Sequence, residues 1–506
     1  MELLQPWYWR SLPLENRTGS EVFAALFLKA GAIATLLESP SPSAVRKIAG
    51  EQASRWESES IAEQKIPTQS QLARYSICAG TPRILNGSPA LWTPSLGNIL
   101  PFLRQLLQKA RATENNTCSP AQDPKISPAK NLPFTGGWLG WLGYDLAWEI
   151  ERLPKLKPDP LPFPIAYWYE PKCFAVLDHW EQILWLAATE EKQLDQLQSQ
   201  LNSIPPYPPL TRGESETLNL LPRFCTSQTE YEDAVRQAKK YIKAGDIFQA
   251  NLSARFEAYT TADSWAIYRS LQQINPSPFA SYWQTPWGSA ISCSPERLVQ
   301  LQGRTCQTRP IAGTRSRGAT PEQDAILAQD LLANVKERAE HIMLVDLERN
   351  DLGRVCDWGS VVVDELLTIE RYSHVMHLVS NITGTLQSNC DSVDLIRALF
   401  PGGTITGCPK VRCMEIIEQL EPVRRNLFYG SCGYLDRGGN IDLNIFIRTL
   451  LFANQNNSPS RDRNIVWGQV GAGIVADSDP EKEWFESLHK AQAQLAAIHQ
   501  AQNIKF

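Results

Sequence analysis

Residues 465–491 read IVWGQVGAGIVADSDPEKEWFESLHKA. The first eleven residues are apolar or small apart from Gln469, the pattern of a largely buried strand. Ser478 or Asp479 then stands where a helix cap belongs, Pro480 opens the first turn, and helical spacing runs on to His499. Strand followed by capped helix sets the style of the whole C-terminal part. Glu230–Ala244 is amphipathic at helical spacing and stops before Gly245. Residues 321–348 are predicted as one long helical stretch, and 409–420 (PKVRCMEIIEQL) again starts on proline. Between them, SAISCSPERLVQL (289–301) and CDWGSVVVDELLTIE (356–370) are predicted as strands, as are the shorter IAYWYE, CFAVLD and ILWLAA nearer the N-terminus. The expected class is α+β, with sheets covered by helices.

Two polar, proline-containing stretches interrupt this pattern, at 111–133 and at 202–222, the second with five prolines. The expected organisation is therefore an N-terminal region 1–201, a linker 202–222 and a C-terminal region 223–506. Within the first, Val22–Leu37 is an apolar run broken by Lys29 and Gly31, predicted as helix, turn and strand, with Thr18 and Glu21 as a capping box. That run is too short to cross a bilayer and lacks the features of a signal peptide. Trp7, Tyr8 and Trp9 are expected to be buried aromatics. A net charge of −5 gives no electrostatic footprint for nucleic acid or an anionic membrane. Eleven scattered cysteines with no CxxC pair argue against a disulfide framework or a zinc site, and place the chain in a reducing cytoplasm.

Two glutamate pairs carry the first chemical signal. Glu337 and Glu340, and Glu483 and Glu486, are each three apart in a helical pattern and so share a helix face. Pairs from distant segments can converge on one divalent cation, and hard oxygen donors suit Mg²⁺. Such glutamates taken alone are more often a solvated helix face. Two glycine-rich pieces lead nowhere: GGTITGCPK lacks the lysine–hydroxyl ending of a P-loop, and VGAGIVAD lacks the third glycine and following helix of a dinucleotide site.

Five long stretches occur in order: AEHIMLVDLERNDLGRV (339–355), RYSHVMHLVSNITG (371–384), FPGGTITGCPKVRCMEII (400–417), GSCGYLDRGGNIDLNIFIRT (430–449) and GAGIVADSDPEKEWFESLHKA (471–491). With TRPIAGTRSRG (308–318), SPERLVQL (294–301) and PFTGGWLGWLGYDLAWEIE (133–151), they resemble the chorismate-utilising enzymes, component I of anthranilate synthase and of 4-amino-4-deoxychorismate synthase. The resemblance covers nearly the whole chain. It implies two facing, largely antiparallel sheets with outer helices and an active-site cleft between the sheets. It also implies chorismate as substrate, and Mg²⁺ on the ring carboxylate with Glu340 and Glu486 as direct ligands and Glu337 and Glu483 acting directly or through water. Tyr434 and Arg448 would hold the enolpyruvyl carboxylate, with N–H donors from Gly471, Ala472 and Gly473. Thr314 would bond near the pyruvyl group, and Lys410 would add positive charge. Glu296 is the candidate general acid for the departing ring hydroxyl and His377 its assistant, with His374 a structural neighbour.

The same resemblance bears on the product. Relatives that add water place a lysine base where this chain has Gln249, and an amide cannot activate water, so ammonia is the expected nucleophile. Many aminodeoxychorismate synthases carry a lysine that attacks the ring at the position of Ala312. Alanine there is as in anthranilate synthases, whereas NLSARF, PFASYW and FPGGTITG look closer to aminodeoxychorismate synthase. Ser39, Pro278 and Phe279 mark a possible amino-acid effector site. The chain has no GxCxG segment of a glutamine amidotransferase, so a separate glutaminase subunit is the expected ammonia source. A regulatory protein on the same fold, binding an amino acid without catalysis, is the alternative outside enzymes.

Overall fold

The computed structural model describes residues 7–39, 72, 74–116, 132–203, 222–372, 375–454 and 464–502. Among them two large sheets carry the fold, and every strand pairing is antiparallel. The twelve-stranded sheet runs from Tyr8–Pro13 through Cys173–Asp178, Ala34–Glu38, Phe279–Thr285, Gly288–Ser294, Thr449–Asn454 and Asn464–Ile474 to Gln249–Thr260 and beyond. The ten-stranded sheet includes Ile311–Ser316, Val375–Thr385, Arg297–Gln302, Ile441–Asn444, Ser431–Asp436 and Gly137–Leu142. Aromatic side chains from both sheets, among them Trp138, Trp141, Trp168 and Trp283, fill one continuous core. Burying such large apolar surfaces between two faces is the main stabilising term of this architecture.

A second cluster lies under the helices Gly19–Leu26, Glu191–Ser203, Ser264–Ile274 and Pro480–Gln502, and a third joins Gln228–Ala244 to Lys410–Leu420. Helix starts follow the sequence closely. Thr18 and Glu21 close a capping box, as do Ser227 and Glu230, and Asp479 Oδ1 accepts from Lys482 N at 3.0 Å. Gly245 takes φ +82 and ends its helix in the left-handed conformation open to glycine.

Three expectations need correction. The stretch 321–348 is two helices, Pro321–Ala333 and Val335–Gly353, because Asn334 leaves the helical conformation and its side chain accepts from Glu337 N at 3.0 Å. The predicted strand 289–301 is two strands in different sheets, Gly288–Ser294 and Arg297–Gln302, with Pro295 and Glu296 at the crossing. Tyr8 is exposed on an edge strand, although Trp7 is buried. Of the expected linker 202–222, residues 204–221 lie outside the described residues. The regions on either side of it contribute to both sheets: Ala34–Glu38 pairs with Phe279–Thr285, and Gly137–Leu142 pairs with Ser431–Asp436.

Candidate active site

Glu296 is placed by the crossing between sheets. Its carbonyl accepts from Ile445 N at 3.0 Å, tying this crossing to the return one, where the chain passes from Ile441–Asn444 to Thr449–Asn454. Arg448 sits on that return and its carbonyl accepts from Cys293 N at 3.2 Å. The proton donor candidate and the carboxylate-binding candidate therefore stand on two antiparallel crossings at the seam of the sheets. Glu296 is 4% exposed, and burial pushes its carboxyl up to about 8, against a weak bond from Ile311 N at 3.4 Å. It is a neutral acid at neutral pH.

Arg448 has φ +52, an unusual conformation for a side chain with a Cβ, at a position where local strain is held by the surrounding sheet. Burial lowers its pKa, and Tyr429 is the one neighbour that raises it. Among the described residues no carboxylate forms an ion pair with it. A half-buried guanidinium without an anion is a ready site for a carboxylate ligand.

The strand Ile311–Ser316 supplies the floor. Ala312 is buried there, opposite Leu378, and Thr314, opposite His377, is exposed. His377 is held down to about 4 by burial first and by the Arg448 charge second, so the ring is neutral. Between Ala312 and Thr314 the register slips at Gly313, whose φ is +73. A Cβ at Gly313 would meet the Glu337 carboxylate at 2.2 Å, and the positive φ there favours glycine in any case.

Four glutamates come from that helix and from Pro480–Gln502. Gln249 Nε2 donates to Glu340 Oε1 at 2.7 Å, and a Cβ at Gly473 would meet Gln249 Nε2 at 2.3 Å. Burial raises the pKa of Glu340 and of Glu483, and both lie in the field of Lys336 and Lys490. Glu337 Oε1 accepts from Arg315 at 2.6 Å and Glu486 pairs with Lys490 at 2.8 Å. The two pairs are thus brought around the same lysines. Among the described residues, however, no three carboxylate, histidine or cysteine side chains are gathered to hold a metal ion. The donor chemistry still fits a hard cation. Glu337 Oε2 is buried with no hydrogen-bond partner, and a positive ion would offset the burial of Glu340 and Glu483.

Gly471, Ala472 and Gly473 pair with Ser253, Leu252 and Asn251 on one side. Past Gly468 the other edge of their strand pairs with no strand among the described residues, and Lys490 Nζ donates to Gly471 O there at 3.0 Å.

A protein-family model described as chorismate binding enzyme matches residues 88–496. The chain belongs to this family. Over 505 residues it is 57% identical to an anthranilate synthase component I-like protein of Synechocystis sp., covering 98% of this chain and 92% of that one. It is 45% identical to aminodeoxychorismate synthase component 1 of Bacillus subtilis, covering 72% and 77%. The crystal structure of anthranilate synthase component I from Streptococcus pneumoniae superposes with a TM-score of 0.66 at 30% identity, covering 87% and 96%. The two-sheet fold is that of the family.

Tyr434 lines a cavity of about 400 Å³ with Ser39, Tyr75, Pro278, Phe279 and Arg297. Its ring packs on Phe134 at 5.4 Å. Tyr429 is the tyrosine beside Arg448, buried, at φ +64, and stacked under the Arg425 guanidinium at 4.6 Å. The signal was present in FYGSCGY, which offers two tyrosines five apart. Lys410 spends its charge on Asp351 at 2.6 Å and on the Leu399 carbonyl at 2.8 Å, which makes it a structural cation. Ser39, Pro278 and Phe279 do share one cavity. Ser39 Oγ donates to Tyr75 O at 2.6 Å, and Arg297 pairs with Asp442 while lying over the Phe279 ring at 5.1 Å. His374 lies outside the described residues. Among those residues, no helix is long and apolar enough to cross a membrane.

Proposed function

We propose that the chain aminates chorismate with ammonia, as component I of a 4-amino-4-deoxychorismate synthase. The observation that carries amination is Gln249. Its amide nitrogen is committed to Glu340, so no basic group stands at the position from which water-adding relatives activate water. Arg448, with Tyr429 beside it, holds the enolpyruvyl carboxylate. Glu296 gives its proton to the ring hydroxyl, which leaves as water. Ammonia forms the new C–N bond, and the proton it sheds returns Glu296 to the acid form. His377, neutral and fixed by Thr314, takes part in proton transfer beside the departing group. Glu340 and Glu486, with Glu337 and Glu483 directly or through water, would hold Mg²⁺, which supplies charge neutralisation for the ring carboxylate.

The family names of the relatives, each a component I or a component I-like protein, support a glutaminase partner as the ammonia source. Glutaminase activity in the purified chain alone would count against that partner. The preference for aminodeoxychorismate rests on NLSARF, PFASYW and FPGGTITG. Phe279 and Ala280 line the 400 Å³ cavity. One observation favours the second reading, anthranilate synthase component I: Ala312 is buried on the site floor and offers no nucleophile.

Incubation with chorismate, Mg²⁺ and an ammonium salt at alkaline pH, followed by chromatography with mass detection, separates the two. An aminated product that keeps its enolpyruvyl group supports the proposal. Anthranilate with pyruvate release replaces it with the second reading. Absence of turnover overturns both.

A further inference from the structure

One buried carboxyl has no part in the reaction just proposed. Glu348 lies two turns beyond Glu340 on the helix Val335–Gly353 and is 6% exposed. Thr308 Oγ1 lies 2.6 Å from Glu348 Oε2 and 2.9 Å from the carbonyl oxygen of Leu298. A hydroxyl has one hydrogen and a carbonyl oxygen has none. Both contacts are made only if Thr308 donates to Leu298 O while a protonated Glu348 donates to Thr308. An ionised Glu348 would compete with Leu298 for a single hydrogen.

The surroundings agree with that assignment. Burial pushes Glu348 up to about 8 against the Thr308 hydrogen bond, and the neighbouring carboxylates Glu296 and Asp351 add to the shift. Lys410 opposes it, but this lysine is already paired with Asp351. Leu298, whose carbonyl completes the arrangement, is two residues from Glu296. Both carboxyls are buried, and the charge of Glu296 is felt at Glu348.

We infer that Glu348 is held as a neutral carboxylic acid and is a positioning residue for the Glu296 proton, because two buried carboxyls that repel when ionised retain a proton to higher pH than one alone. The inference deepens the reading of Glu296 as the acid and rests on it.

Glu348→Gln tests it. The amide donates to Thr308 as the acid does, but never ionises. In this variant the alkaline limb of kcat/KM for chorismate should move to lower pH by about half a unit or more, and become a single-proton transition. An unmoved limb in a folded variant overturns the coupling. Infrared difference spectra, wild type minus variant, should show the band of a protonated carboxyl at neutral pH. A carboxylate band in its place overturns the neutral assignment. If Glu348→Gln fails to fold, Thr308→Val carries the test: the protonated-carboxyl band should move to higher frequency as its hydrogen bond is lost, and an unmoved band sinks the proposal. A wild-type chain that does not turn over chorismate would fail the functional reading, while the infrared band would still decide the state of Glu348.

Discussion

Thr314 Oγ1 and His377 Nδ1 stand 2.9 Å apart as register partners on adjacent strands of the ten-stranded sheet. The threonine, expected near the pyruvyl group of the substrate, engages the imidazole with its hydroxyl. A histidine kept neutral by burial needs one ring nitrogen fixed so that the other faces the reaction. Thr314→Val should lower kcat about fivefold to tenfold with little change in KM, the worth of roughly 1 kcal/mol for one hydrogen bond. Thr314→Ser should retain most of the rate. Steady-state kinetics of the two variants decide, and a loss confined to Thr314→Ser would show that the methyl group matters instead.

Glu296 ties activity and stability to the same titration. Its folded value of about 8 lies above the ordinary 4.5, so the folded state keeps a proton that the unfolded state loses. The stability this group contributes is complete below about 4.5 and is lost as pH rises through about 8. Thermal unfolding of the wild type should fall across that window, and Glu296→Gln should flatten the fall. The same variant should lose roughly 10²- to 10⁴-fold in kcat, the usual worth of a general acid. A variant as active as the wild type would remove Glu296 from the mechanism.

Arg448 is predicted to separate binding from folding. Its guanidinium is half-buried without an ion-pair partner among the described residues, and this partial desolvation works against the charged form in the free protein. Arg448→Met should leave the melting temperature unchanged or raise it, while KM for chorismate rises roughly 10- to 100-fold, as expected for losing a charged hydrogen bond. Calorimetry with kinetics on one preparation checks both halves. A large drop in melting temperature would make the arginine structural.

The glutamate pairs predict a response to metal that does not depend on turnover. Mg²⁺ should raise the melting temperature of the wild-type chain in the presence of chorismate, and a chelator should reverse it. Glu340→Gln should need at least about an order of magnitude more Mg²⁺ for the same rise. Melting that ignores Mg²⁺ in both proteins would remove the cation from the site.

Sequence alone determined the local elements and the substrate family. Capping boxes at Thr18 and Ser227, the glycine stop at Gly245, and the strand and helix of 465–499 follow from short-range chemistry that needs no tertiary context. The ordered motifs named the family before any geometry was known. Tertiary structure decided what depends on side-chain partners far apart in the chain. SPERL reads as one strand because nothing local marks a change of sheet, and only the core shows Glu296 at the crossing. Lys410 reads as a free cation until Asp351, 59 residues away, is seen to take its charge. Two tyrosines five residues apart are equivalent on paper; the strand that carries Tyr434 turns it to the cavity of about 400 Å³, and the bend before that strand leaves Tyr429 at Arg448. Short-range hydrogen bonding and periodicity are written in neighbouring letters, whereas burial, charge pairing and convergence on a cleft are set by which distant segments the sheets bring together.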